Sequence, residues 1–127
     1  HEARAAWHVR NACSHPAIRG GRGRINHWSL GIEVVNRQVH SDAFSDWQVE
    51  ATAQIVRYAW AKYPNLRHVV SHAMLDPARR SDPGSLFPWE RFRAAVLDGR
   101  EDAVSGLVAG AAEMEAVLPS APFCMVV

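Results

Sequence analysis

Residues 28–36 read Trp28-Ser29-Leu30-Gly31-Ile32-Glu33-Val34-Val35-Asn36. The density of Leu, Ile and Val predicts a buried strand from Trp28 to Val35. Glu33 interrupts that apolar run. A buried carboxylate is costly unless it is paired or used. Desolvation raises its pKa, which suits a general base for water. The other reading puts Glu33 on the solvent side of a one-sided strand, and the run by itself does not decide between them.

Downstream, Ser45-Asp46-Trp47-Gln48 has the form of a capping box. Val49, Ala53, Val56 and Trp60 then fall on one helical face, and Pro64 ends the helix. His68 to Ser71 predicts a second short strand, ending at His72. Residues 73–88 carry Pro77, Pro83, Gly84 and Pro88 and read as a loop. Trp89 to Leu97 predicts a helix stopped by Asp98-Gly99. The Ala- and Glu-rich stretch Glu101 to Leu118 predicts another helix, and residues 119–127 show no pattern. Upstream, Ala5 to Val9 is short and apolar around His8. Asn11 to Asn26, rich in Gly, Arg and Ser, predicts a long loop of a kind that is often functional. Strands alternating with helices make this an α/β domain.

The 127 residues fit one domain, and 48% hydrophobic with 21% charged residues is ordinary for a globular protein. A net charge of +1, with the arginines spread along the chain, gives no reason to expect nucleic acid as a partner. No apolar run is long enough to span a bilayer, and no signal peptide is recognisable. The sequence opens at His1 rather than a methionine, which points to a processed product or a fragment. Cys13 and Cys124 do not form a Cys-x-x-Cys metal pair and are expected to be free thiols.

The sharpest chemical feature is His72 with Asp82 ten residues later, across a Pro-rich loop. Imidazole nitrogen and carboxylate oxygen are both good zinc ligands, and zinc polarises carbonyls and activates water. The plainer reading is a strand-end histidine plus an aspartate that shapes the turn Asp82-Pro83-Gly84. His8, beside Trp7, reads either as a packed core histidine or as part of a site.

Three motifs in order then resemble the N-acetylmuramoyl-L-alanine amidase superfamily, which includes the peptidoglycan recognition proteins. They are Ala6-Trp7-His8; Asn26-x-x-Ser29-Leu30-Gly31-Ile32-Glu33-Val34-Val35-Asn36; and Val70-Ser71-His72 through Asp82-Pro83-Gly84 with Phe87-Pro88-Trp89. The resemblance covers about Ala5 to Leu97. It implies a mixed central sheet flanked by helices, with a zinc site on it. His72 matches the family's second zinc histidine and Asp82 its third ligand. Glu33 matches the acidic residue that activates or positions the attacking water. Trp7, His8 and Asn26 match segments that border the substrate groove. Arg80 stands where close relatives often carry Lys. It keeps a cation for an oxyanion but is unsuited to proton transfer. The implied reaction cleaves the amide between N-acetylmuramic acid and the L-alanine of the peptidoglycan stem peptide.

Two departures accompany the match. The family's first zinc histidine lies on a strand well upstream of Ala-Trp-His, and this sequence has six residues before Trp7. The expectation is therefore a C-terminal part of the catalytic domain over residues 1–98, without its N-terminal strand, followed by a helix and tail over 99–127. The third zinc ligand would come from upstream, either from an earlier stretch or from a cleaved N-terminal fragment that stays bound. The alternative function is a non-catalytic module that binds peptidoglycan or muropeptide. The second departure is Arg10, where many relatives have Gly. Arg19, Arg22 and Arg24 read as solvated charges, with contact to an acidic stem peptide as the other reading. The resemblance favours a periplasmic, secreted or phage-delivered protein.

Overall fold

A computed structural model describes residues 5–16, 18–37, 39, 41–98 and 123–126, the last four by their backbone. Its longest element is the helix α1, Asp46–Lys62. Ser45 caps it as the sequence predicts: its Oγ accepts from the Gln48 amide, and the Gln48 side chain returns to the Ser45 amide. Val49, Ala53 and Val56 are buried on one face, with Trp60 packed partly against the same core.

Three short strands form the described sheet: β1 (Ser29–Gly31), β2 (Leu66–Val70) and β3 (Phe123–Val126). Their order is β1-β3-β2, and both pairings are parallel. Ser29 pairs with Cys124 and Gly31 with Val126, while Val70 also faces Val126. Two sequence readings change here. The strand expected over 28–35 is confined to Ser29–Gly31, because β3 offers a ladder to those three residues and the chain beyond continues without one. The tail, which shows no pattern in sequence, supplies the central strand, so its last residues return to the same sheet. The helix expected over Glu101 to Leu118 lies outside the described residues.

Two apolar clusters hold these layers. The larger joins α1 to the helix α3 (Trp89–Asp98) through Phe44, Val56, Leu66, Phe87, Phe92 and Val96. Phe87 meets Phe44, Trp89 and Phe92 edge to face, at centroid separations of 5.1, 4.7 and 5.4 Å. Arg57 on α1 reinforces the contact by donating to the Ala95 carbonyl of α3. The smaller cluster, Val9, Cys13, Ile18, Ile25, Val70 and Leu75, joins the N-terminal segment to the end of β2. Cys13 is a buried free thiol within it. The chemistry-bearing residues gather around this second cluster. No helix among the described residues is long and apolar enough to cross a membrane.

Candidate functional site

β2 ends at Val70, and Ser71 then caps a single helical turn, α2 (His72–Leu75), its Oγ accepting from the Met74 amide at 3.1 Å. His72 opens that turn and is buried. The following loop folds back on it. The Arg79 and Arg80 amides both donate to the Asp76 carbonyl at 2.9 Å, and the Ala73 amide donates to the Asp82 carbonyl at 3.1 Å. Gly84, at φ +82°, occupies the left-handed region that a β-carbon would disfavour. The result brings Asp82 Oδ2 to 2.5 Å from His72 Nδ1. The two residues that sequence spacing singled out do converge.

Both ring nitrogens of His72 face acceptors. Nε2 donates to the His8 carbonyl, so Nδ1 confronts a carboxylate oxygen. Two lone pairs at that distance repel, so the pair is suited to share a proton or, set further apart, to hold a metal cation. Nδ1 and Oδ2 are both zinc donors. A carbonyl accepting the other ring N–H is the usual companion of a metal-ligating histidine. These residues therefore fit two places in a zinc site. Among the described residues no third His, Cys, Asp or Glu joins them.

His8 sits against this pair. Ser29 Oγ donates to the Ile25 carbonyl at 2.8 Å, so it accepts from His8 Nε2–H, at 2.6 Å. His8 Nδ1 is buried and without a hydrogen-bond partner. Burial, reinforced by nearby His72, pushes the His8 pKa below the usual imidazole value. The Ala6 backbone and the charge of Glu33 pull the other way.

Asn26 is buried, at 4% exposure, and its side chain is engaged with backbone. Its Oδ1 accepts from the His8 and Val9 amides at 3.1 and 3.0 Å, and its Nδ2 donates to the Val9 carbonyl at 2.6 Å. Asn26 thus holds the His8–Val9 segment in place. Glu33 is exposed, so the desolvated carboxylate of the buried-strand reading is not what the fold provides. It lies close enough to His8 for their charges to interact.

A cleft of about 350 Å³ opens beside His72, lined by Trp7, His8, Arg10, Asp76 and Arg80 among others. Trp7 is 80% exposed at this cleft, an unusual situation for so large an apolar ring. A second hollow of about 400 Å³ is lined by Arg19, Arg22, Arg24, His27 and Trp28, with the Arg19 guanidinium 3.6 Å above the Trp28 ring. Asn11 borders both. Sequence reasoning missed the pairing of Arg10 with Asp76, which form two hydrogen bonds of 2.7 Å at the cleft wall. They lie 66 residues apart, and no local signal links them.

Residues 1–85, which contain every one of these groups, match the family described as N-acetylmuramoyl-L-alanine amidase. The chain is 38% identical over 77 residues to the 1,6-anhydro-N-acetylmuramyl-L-alanine amidase AmpD of Salmonella typhimurium, covering 60% of this chain and 40% of that protein. It is 32% identical over 112 residues to the N-acetylmuramoyl-L-alanine amidase AmiD of Escherichia coli, covering 80% of this chain and 38% of that one. The chain thus spans about 40% of the length of these curated relatives. No solved structure matches significantly.

Proposed function

Because the chain belongs to the N-acetylmuramoyl-L-alanine amidase family, we propose that it forms part of a zinc-dependent hydrolase of the bond between N-acetylmuramic acid and the L-alanine of the stem peptide. The observation that carries this reading is the convergence of His72 Nδ1 and Asp82 Oδ2, two donor atoms of the kind zinc takes, brought together from either side of the 73–81 loop. His72 and Asp82 would hold the zinc, and a histidine outside this sequence would supply the third ligand. A strand carrying that histidine would add to the parallel strands β1, β3 and β2 and make the sheet mixed. Zinc bound there supplies a Lewis acid for the scissile carbonyl and favours ionisation of water.

The remaining work falls to side chains of this chain. The Glu33 carboxylate accepts a proton from the attacking water. It is exposed and near enough to His8 for their charges to interact. The Arg80 guanidinium, at the cleft, donates to the oxygen on which charge develops. The exposed Trp7 ring gives a flat apolar face to the substrate, and His8 lines the cleft beside it. Asn26 keeps that segment in register.

The test is zinc content and turnover of a muropeptide by the full-length protein. About one zinc per protein, lost in His72→Ala and Asp82→Ala together with stem-peptide release, is the expected result. A full-length protein that binds muropeptide without zinc and without cleavage would overturn the reading in favour of a binding module.

A further inference from the structure

Asp76 has no role in the reaction just proposed, yet its side chain is 8% exposed at the cleft wall. A buried carboxylate needs a partner, and Arg10 provides one for both oxygens. Arg10 Nε donates to Oδ2 and Nη2 to Oδ1, each at 2.7 Å, in the bidentate geometry that guanidinium favours. Arg79 adds a second cation, 3.6 Å from Oδ2. These arginines, Arg10 foremost through its hydrogen bonds, hold the Asp76 carboxyl below the usual carboxylate range.

The pair spans two segments that meet at His72. Asp76 closes the one-turn helix that His72 opens, its amide donating to the His72 carbonyl at 2.8 Å. Arg10 stands two residues after His8, whose carbonyl accepts His72 Nε2–H. Asn26 grips His8 and Val9 through three further hydrogen bonds. The backbone of residues 8–10, the Arg10–Asp76 pair, the α2 turn and the His72 ring therefore form one closed loop of contacts.

We infer that Arg10 and Asp76 are positioning residues for the metal-binding histidine: their paired hydrogen bonds keep the His8 carbonyl on His72 Nε2–H and so aim Nδ1 at Asp82. The inference rests on the zinc-site reading above. The proton on Nε2 decides which nitrogen carries the lone pair, and only a lone pair on Nδ1 faces the Asp82 carboxylate. Without the pair, the His8–Arg10 segment keeps its Asn26 clamp and the apolar contacts of Val9 but loses its hydrogen-bonded tie to α2, and the carbonyl no longer fixes the ring. An ion pair serving the fold alone would affect stability and leave the imidazole unchanged.

The experiment uses the full-length protein with Arg10→Ala, Arg10→Lys, Asp76→Asn and the double variant Arg10→Ala/Asp76→Asn. Zinc affinity by chelator competition is expected to fall about 10- to 100-fold in the single variants, as when other partners of metal-binding histidines are removed. A matching loss in kcat with KM nearly unchanged should accompany it. Arg10→Lys, which keeps the charge without the fork, should recover part of the loss. The double variant should be no worse than the worse single one, because the two residues act as a unit. Long-range 1H–15N spectra should show the His72 Nε2–H signal in the wild type and its loss in Arg10→Ala. Arg10→Lys and the isosteric Asp76→Asn keep the test decisive if Arg10→Ala does not fold. Folded variants with unchanged zinc affinity and an unchanged His72 signal would overturn this inference alone. A wild type that neither binds zinc nor cleaves muropeptide would overturn the amidase reading, and the His72 spectra would still decide whether the pair positions the ring.

Discussion

A β-carbon placed on Gly31 would lie 2.9 Å from both Cβ and Cγ of His8. No real contact of that kind is that short, so the glycine is what lets β1 pass directly behind the histidine. Gly31→Ala forces either β1 or the Trp7–Val9 segment to move, and Asn26 holds the latter in place. The expected cost is that of overpacking, about 1–3 kcal/mol, read as a lower urea midpoint with unchanged m-value. A variant as stable as the parent would show that this close approach does not exist in solution. Glu33 is the opposite case, an exposed side chain with little to lose in stability. Glu33→Gln keeps its shape and removes its basicity. The expected loss in kcat for muropeptide cleavage is about 100- to 10,000-fold, with zinc content unchanged. Full activity in Glu33→Gln would remove it from the mechanism.

Elements differ in how far their sequence announces them, and α1 announces itself most clearly. Its cap and its buried face are both local patterns, and both are realised. Ser45→Ala removes an acceptor from the helix start and is expected to cost about 1 kcal/mol, measurable by chemical denaturation. A change below experimental error would mean that water replaces the cap fully. The strands are less legible because a strand is completed by its partner. Trp28 to Val35 looks uniformly strand-like, yet only Ser29–Gly31 finds a ladder, set by the reach of β3. β3 itself is an apolar run of four residues, Phe123 to Val126, too short to separate from a tail by composition. Its place between β1 and β2 depends on pairings more than fifty residues away in sequence, which no local pattern encodes. The same holds at the site. His72 and Asp82 are legible because ten residues and a Pro-rich turn bring them together. Arg10 and Asp76 are not, because their encounter depends on the whole domain closing.

At the scale of the molecule, charged contacts reinforce the joints that the two apolar clusters make. Arg10–Asp76 joins the N-terminal segment to the α2 turn. Glu50 pairs with Arg57, and Arg57 reaches the α3 backbone. The carboxyls of Asp76 and Glu50 are both held below their usual range, each chiefly by hydrogen bonds from its arginine. A carboxyl whose pKa is lower in the folded than in the unfolded state binds protons more readily when unfolded. Its contribution to stability is therefore complete at neutral pH, begins to fall as pH drops toward the ordinary carboxylate value near 4, and is gone below the folded value. The urea midpoint should thus be flat between about pH 6 and 7 from these groups and decline steeply below about pH 4.5. Asp76→Asn should lower the midpoint at neutral pH and flatten the acid decline, because the group that titrates is gone while Arg10 loses its charged partner. Glu50→Gln should do the same to a smaller degree, its pair being more open to solvent. An acid decline equally steep in Asp76→Asn and the parent would show that the N-terminal segment is held by Asn26 and the apolar cluster alone, with the Arg10–Asp76 ion pair adding nothing to the fold.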